Sequence, residues 1–269
     1  MKSNRVLCSS SLLFCCLIII SSLSYAQETD DEWHFTLAFP MIWAPDINGT
    51  IEGGGDRMNI SIPFGDIVES LDVGLLGEFY AQKNKWIYGL KFNYLKTKGE
   101  SVTDPVLGGV IAPAHKVEDT LQLAVVDALA GYRVHRKVDL YTGVRYISTK
   151  MDISIRPEDP GGIISISRDI NLIDKSIYDW LIGVTFHQDF NPHWGFKISA
   201  DAAIAGDNDR DYMLDALLFF LLSKLNNILA GYRYFSIGND AISNTVAGPV
   251  EYAIDFTQQG PTLGWAFTF

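Results

Sequence analysis

The chain has 269 residues, of which 48% are hydrophobic and 20% charged, and its formal net charge is −11 at pH 7. Nucleic-acid-binding proteins need basic surfaces, so this acidic balance argues against a nucleic-acid partner. No Pro-, Ser- or Gly-rich linker divides the chain, and we therefore predict a single domain after any export signal.

Residues 1–26 have the three parts of an export signal. Lys2 and Arg5 supply the positive start, residues 12–20 form an apolar run, and Ser24-Tyr25-Ala26 is a small-x-small cleavage site. The apolar run is too short to span a bilayer comfortably, which argues against an uncleaved anchor. We predict cleavage after Ala26 and a mature domain over 27–269. The leader contains all the cysteines of the chain, so the mature domain offers no disulfide and no thiolate metal site: Cys8, Cys15 and Cys16.

The mature chain alternates large apolar residues with small or polar ones, which is the period of a β-strand. The first such strand is predicted over 33–43, where Trp33 and Trp43 would anchor it at the two membrane interfaces. The alternating residues on its large face are all odd-numbered: Trp33, Phe35, Leu37, Phe39, Met41 and Trp43. Beyond the leader, no apolar run is long enough for a transmembrane helix, so any membrane crossing must use strands.

The same alternation recurs downstream, and it is sharpest over 88–94, 138–146, 178–187 and 194–202. Segments 73–82, 212–222 and 228–238 are less regular strands, and 121–134 changes phase near Val125 and Val126, which predicts a bulge. Short connections (83–85, 135–137, 191–193, 223–227) alternate with long ones (97–119, 153–176, 205–211, 239–251). This pattern predicts an all-β, transmembrane, antiparallel up-and-down barrel of about ten strands, with eight and twelve as alternatives. Segment 45–72 would be an outer loop holding a hairpin over 50–62 and a helical turn over 64–71.

The chain ends on a strand with a large apolar face formed by Leu263, Trp265, Phe267 and Phe269. Such a face suits a closed barrel in lipid, because the outer surface must be apolar and aromatic at its boundaries. The strand resembles the closing strand of Gram-negative outer-membrane β-barrels. That resemblance implies that Trp265, Phe267 and Phe269 form an assembly signal read by the barrel-assembly machinery.

The resemblance extends over most of the mature chain. Its segments are residues 33–43, NGT (48–50), PFGDIVESL (63–71), VDLYTGVRY (138–146), AGYRY (230–234) and GPTLG (260–264). Together they look like a largely uncharacterised group of Gram-negative outer-membrane β-barrel proteins, distantly similar to small porin-like barrels. The resemblance implies a β-barrel fold and an outer-membrane location, but it says little about the function of the protein.

Most of the charged residues within the predicted strands lie on their inward faces. The charged residues assigned to the lumen are Glu78, Lys91, Asp127, Arg133, Arg145, Asp179, Lys197, Asp201 and Arg233. They either pair with one another in a packed interior or line a small polar passage or ligand pocket, and we favour the packed interior. Arg145 and Asp179 lie on successive strands, and their direct pairing would require a register offset.

Catalytic and metal-binding alternatives rest on few residues. His34, His135 and His193 are predicted near periplasmic ends, His187 faces inward, and His115 lies in a long loop. The acidic groups at 158–159 and 207–211 could bind a divalent cation, but Asp207, Asp209 and Asp211 lack the glycine and closing glutamate of a calcium loop. No phosphate loop or metal-ligand spacing is present in the sequence.

We therefore predict an integral outer-membrane β-barrel protein, porin-like or structural, that is not an enzyme and uses no cofactor or metal. Its expected partners are outer-membrane lipids and the barrel-assembly machinery. The alternative is an outer-membrane barrel enzyme acting on lipid or peptide.

Overall fold

The computed structural model describes residues 31–53, 56–102, 115–157, 168–208, 210–223, 225–245 and 248–269. The predicted leader over 1–26, the acidic pair at 158–159 and Asp209 lie outside the described residues.

The described chain is almost entirely β-structure, with one short helix. The elements are β1 Trp33–Trp43, β2 Asp46–Gly53, β3 Asp56–Ile62, α1 Phe64–Ser70, β4 Leu71–Lys83, β5 Trp86–Val102, β6 His115–His135, β7 Val138–Pro157, β8 Arg168–Asn191, β9 Trp194–Gly206, β10 Arg210–Ser223, β11 Asn226–Thr245 and β12 Gly248–Thr268. No helix in these ranges is long and apolar enough to cross a membrane.

Ten of the strands close into an antiparallel barrel, because β1 pairs with β4 on one side and with β12 on the other. From β4 to β12 every strand pairs with the next one in sequence. The remaining two strands form a hairpin in which β2 pairs with the outer half of β12. The prediction of about ten strands is confirmed. The hairpin and helix predicted within 45–72 are also present, with the hairpin starting at Asp46 rather than at residue 50.

The short turns gather at one end of the barrel and the long connections at the other, which we call the short-turn end and the outer end. Several strands continue well beyond their predicted outer ends: β5 reaches Val102, β7 reaches Pro157 and β11 reaches Thr245. Paired extensions of this kind satisfy backbone hydrogen bonds between strands beyond the predicted bilayer span. Much of what the sequence predicts as long loop is therefore β-hairpin.

An apolar belt surrounds the barrel. Tyr212, Leu214, Leu218 and Leu222 are exposed along one face of β10. Ten residues of strand cover about 33 Å, or about 25 Å across a bilayer at a tilt of about 40°, which is the height of the apolar band of outer-membrane barrels. Aromatic residues mark both margins. Trp33, Trp86 and Trp194 are exposed near the short turns, while the tilted ring pair Tyr146–Tyr178 and the stacked pair Tyr212–Tyr234 lie toward the outer end.

Two predictions about strand phase are wrong. In β1 the register shifts between Ala38 and Met41, around Pro40, which has no N–H to donate to a ladder. Beyond the shift Met41 is buried, Ile42 is exposed, and the Trp43 ring lies 5.6 Å from the guanidinium of Arg233 inside the barrel. Trp43 is therefore an interior residue and not a membrane anchor.

The bulge predicted near Val125 is absent from the ladders that flank it. β6 pairs residue by residue with β5 and β7 through Val125 and Val126. The apparent change of phase in the sequence arises because Leu123 and Val125 face inward, where they pack in an apolar cluster.

Candidate functional site: the barrel interior

A row of alternating charges crosses five neighbouring strands inside the barrel. Glu78 on β4 pairs in register with Lys91, which pairs with Asp127, which pairs with Arg145, which pairs with Asp179 on β8. Opposite charges directly across from one another stabilise neighbouring strands. We call these five residues the charge row.

Arg145 is the most enclosed member of the row, with 0% of its surface exposed. Its Nε and Nη2 donate to the two carboxylate oxygens of Asp127 at 2.8 and 2.9 Å. Its remaining donors reach Asp201 on β9 at 3.0 Å and Asp211 on β10 at 2.6 Å. The guanidinium also lies over the ring of Phe235, 5.0 Å from the centroid. One side chain thus ties together strands β6, β7, β9 and β10, and a planar guanidinium with five donors is suited to this role.

A second arginine joins the opposite side of the barrel to the charge row. Arg233 on β11 donates from Nε and Nη2 to Asp215 on β10 at 2.5 and 3.2 Å. The same Nη2 donates to Glu78 on β4 at 2.8 Å, and the Lys197 ammonium lies 3.5 Å from the other oxygen of Glu78. Together with the charge row, Arg233, Asp215, Lys197, Asp201 and Asp211 form what we call the ionic layer.

The ionic layer contains eight of the nine charged residues assigned to the lumen from sequence, and the ninth, Arg133, pairs with Asp139 nearer the short turns at 2.8 Å. Arg145 and Asp179 occupy paired positions without any offset, because β7 and β8 extend farther outward than predicted. They do not share an ion pair. Asp179 instead accepts hydrogen bonds from the backbone N–H groups of Asp207 and Asn208, both at 3.0 Å.

The hydrogen bonds from the β9–β10 connection to Asp179 depend on Gly206. The glycine has a φ of +142°, and a Cβ there would lie 2.3 Å from the Asp179 carboxylate. A glycine is the residue that tolerates both conditions. Asp179 therefore fixes the turn between β9 and β10, while the charge of Arg145 is compensated by carboxylates on β6, β9 and β10.

Sequence reasoning missed several interior residues: Tyr80, Asp139, Tyr141, Asp211 and Asp215. Asp215 carried a usable signal, because it is a charge within an otherwise apolar strand and faces away from Tyr212 and Leu214. The same parity extends to Asp211, which we assigned from the sequence to an acidic loop.

Tyr141 is an interior residue of β7 whose hydroxyl donates a hydrogen bond to Asp201 at 3.0 Å. Its ring lies against Gly183, where a Cβ would be 2.3 Å from the ring. A residue larger than glycine at position 183 would therefore clash with Tyr141.

An apolar cluster covers the ionic layer on its outer side. Its buried members are Leu123, Val125, Ile147, Ile177, Met213 and Phe235. Val125, Ile147, Ile177 and Phe235 each lie two residues outward from a charged member of the ionic layer on the same strand. Between the two layers there is a gap of about 20 Å³, which is room for roughly one water molecule. The interior is therefore filled at this level by paired charges and packed apolar side chains.

On its other side the ionic layer forms the floor of a cavity of about 350 Å³. The cavity extends to the short-turn end, where Gln82, Arg133 and His187 line it. The interior of the barrel is therefore filled by side chains at its middle and contains a cavity on the short-turn side.

The outer end carries exposed ion pairs instead. Asp72 bonds Lys96 and Lys98 at 3.2 and 3.0 Å, Arg156 bonds Asp169 at 2.5 Å, and Arg210 bonds Asp255 at 2.5 Å. Hydrogen bonds from Lys98 and then Lys96 hold the pKa of Asp72 below its ordinary value.

Within the described ranges, no group of three or more His, Cys, Asp or Glu side chains could hold a metal ion. Asp211, considered from sequence as a cation ligand, points inward to Arg145. His34 and His187 line the cavity, and His187 Nδ1 lies 3.7 Å from Asp139.

Neither a protein-family model nor the sequence of a curated protein matches the chain. Solved structures with a similar fold include the outer membrane protease OmpT from Escherichia coli, at 10% identity and a TM-score of 0.49, covering 92% of this chain and 100% of OmpT. The translocator domain of the autotransporter NalP from Neisseria meningitidis is 10% identical with a TM-score of 0.38, covering 96% of each chain. The attachment invasion locus protein Ail of Yersinia pestis is 13% identical with a TM-score of 0.37, covering 88% of this chain and 99% of Ail. The fold itself, a closed ten-stranded barrel with an apolar belt, is that of a transmembrane β-barrel.

Proposed function

We propose that the protein is an integral barrel of the bacterial outer membrane that is closed to ions and has no catalytic activity. The observation that supports this proposal is the complete burial of Arg145 among carboxylates from β6, β9 and β10. A water-filled channel would leave such charges hydrated, whereas here they satisfy one another beneath an apolar cluster. We predicted from the sequence a barrel with either a porin-like or a structural role, and this arrangement favours the structural role.

The test is electrical. Purified barrel is inserted into planar lipid bilayers, with a conducting porin in the same lipid as the positive control. Folding of the preparation is verified by heat-modifiability, because a folded barrel resists detergent and migrates differently before boiling, and insertion by reconstitution into vesicles that are then fused with the bilayer. We expect no discrete current steps from the wild type. Steps whose ion selectivity changes in Lys91→Glu would overturn the proposal.

The absence of catalysis is a separate part of the proposal. The same preparation is incubated with phospholipid vesicles and with an unstructured peptide, and products are followed by mass spectrometry. We expect neither substrate to be cleaved. Reproducible cleavage that survives repurification would favour the alternative of a barrel enzyme acting on lipid or peptide.

Location and assembly follow from the same proposal. Trp265 and Phe267 on β12, and Phe269 directly after it, are exposed at the apolar belt, and we propose that they also form the signal read by the barrel-assembly machinery. The wild type should fractionate with outer membranes. Deletion of Phe269 should reduce the heat-modifiable fraction in cells, while Phe64→Ala, at an exposed aromatic residue outside β12, should not. Recovery of the wild type in the soluble periplasm would contradict the location.

A further inference from the structure

The cavity at the short-turn end has two chemically different walls. Strands β10 and β11 contribute the large apolar side chains Leu217, Phe219 and Leu229, while the lining residues of β1 and β12 are small or polar apart from His34. Strands β4 to β9 contribute most of the polar side chains, including Lys91 and Lys197. At about 350 Å³ the cavity is within the size range of small-molecule sites, which combine apolar walls with a few placed polar groups.

Lys91 is a buried cation with no ion-paired carboxylate in the described chain; its ammonium lies 5.9 Å from the centre of the Tyr141 ring. Only 6% of its surface is exposed, and it contributes to the lining of the cavity. Its neighbours in register, Glu78 and Asp127, are engaged by Arg233 and Arg145. Among the residues that the structure describes, no carboxylate oxygen lies within 4.0 Å of its ammonium group. Such a buried ammonium gains most from an anionic acceptor brought to it.

Lys197 provides a second cation on the same wall. Its ammonium lies 3.5 Å from Glu78 and 5.0 Å from the centre of the Tyr80 ring, and its side chain is about a quarter exposed. The two carboxylates that line the cavity are already compensated, since Glu78 bonds Arg233 and Asp139 bonds Arg133. Counted over the lining residues alone, Lys91, Arg133 and Lys197 face these two carboxylates, so the cavity surface has a formal charge of +1, and Lys91 is the lining cation with no carboxylate oxygen of the described residues within 4.0 Å.

We propose that this cavity binds a small amphipathic anion, meaning a carboxylate or similar acidic group on an apolar chain or ring, taken up from the short-turn end. The acidic group contacts Lys91 and Lys197. The apolar part packs against Leu217, Phe219 and Leu229, where displacement of water favours binding. The site does not require conduction, so current recordings and binding measurements report on the two proposals independently.

The first test uses the wild-type barrel in lipid nanodiscs and two matched probes, octanoate and its neutral analogue octanamide. Binding is measured by isothermal titration calorimetry, with the heat from empty nanodiscs subtracted to remove partitioning into lipid. We expect saturable binding of one octanoate per barrel, and affinity for octanamide at least tenfold lower, because a charge-assisted hydrogen bond is lost. Equal affinities, or no saturable octanoate binding, would overturn the proposal and leave Lys91 as a charge-balancing part of the ionic layer.

The second test locates the site. Lys91→Met keeps the length and apolar stem of the side chain and should weaken octanoate binding at least tenfold, whereas Lys197→Met should weaken it less, because Lys197 already shares Glu78. Lys150→Met removes an exposed lysine that pairs with Asp174 far from the cavity, and it should leave affinity unchanged. If Lys91→Met does not fold, as judged by heat-modifiability, the wild-type probe comparison and Lys197→Met decide. Unchanged affinity in both folded cavity variants would refute the site.

Discussion

Two sets of ion pairs occur in this barrel at similar interatomic distances but in opposite environments. In the ionic layer, Arg145 and Asp127 are joined at 2.8 Å with side-chain exposures of 0% and 2%. At the outer end, Arg210 and Asp255 are joined at 2.5 Å with exposures of 65% and 45%. Distance alone would rank the outer pair as the stronger of the two.

Burial reverses that ranking. Exposed pairs gain little, because water and salt screen both charges and two long side chains must be ordered. A buried pair is not necessarily a large net gain, since both charges lose their hydration on folding. Removing one member, however, leaves the other charge buried without a partner. The comparison therefore concerns the cost of breaking a pair, which Arg145→Ala and Arg210→Gln test directly, while Ile182→Arg and Asp179→Ala test the faces and the pairing on which it rests.

The largest effect is expected from Arg145→Ala. It leaves Asp127, Asp201 and Asp211 close together without their shared cation, and we expect a loss of about 3–5 kcal/mol in the free energy of unfolding. Reversible denaturant unfolding in lipid vesicles measures it. Asp127→Ala in the same background should restore part of the loss, because it removes one stranded carboxylate. A loss that falls strongly with added salt would indicate a hydrated interior and break the comparison.

A new charge on the lipid side comes next. Ile182 is exposed midway along the apolar part of β8, and Ile182→Arg should cost about 2–4 kcal/mol if it lies near the bilayer midplane. The matched control is Thr185→Arg on the same strand, whose side chain faces the cavity and should cost less. Ser199, the hydrogen-bond partner of Thr185, is a poorer control, because it is buried and an arginine there would also lose hydration. Equal losses at Ile182 and Thr185 would mean that the inside and outside faces of β8 are wrongly assigned.

Asp179→Ala tests whether every charge in the row depends on its neighbour. Its carboxylate accepts from the Asp207 and Asn208 backbone groups rather than from Arg145, so we expect a loss of about 1–3 kcal/mol. Double-mutant cycles provide the check. The coupling between Arg145 and Asp127 should exceed that between Arg145 and Asp179. The reverse order would show that Asp179 belongs to the neutralisation of Arg145 after all.

The smallest effect is expected from Arg210→Gln, which removes the cation of an exposed pair. The midpoint of unfolding should stay within experimental error at physiological salt, because the pair is screened by solvent. A clear drop at low salt only would be consistent with this view. A drop comparable to that of Arg145→Ala would mean that the outer hairpins are much less exposed than their side chains suggest.

The faces of most strands could be read from the sequence, because side chains in a strand alternate strictly and lipid requires apolar residues on one face. That rule assigned Glu78, Lys91, Asp127 and Arg145 to the interior. It failed in β1, where a local shift of register at Pro40 reversed the parity and brought Trp43 inside. It also failed where the interior itself is apolar, as at Val125, because an inward apolar residue looks like a change of phase.

The partners of the charges required the three-dimensional structure. Pairing depends on the register between strands and on which strands face one another across the closed barrel, and neither is encoded in a period-2 pattern. Arg233 and Glu78 are 155 positions apart in the chain, yet they are hydrogen-bonded. The alternation of residues along each strand thus specifies a transmembrane barrel with a charged interior. Closure and register determine which of these charges pair, that an apolar cluster covers them, and that a cavity lined by Lys91 remains on the short-turn side.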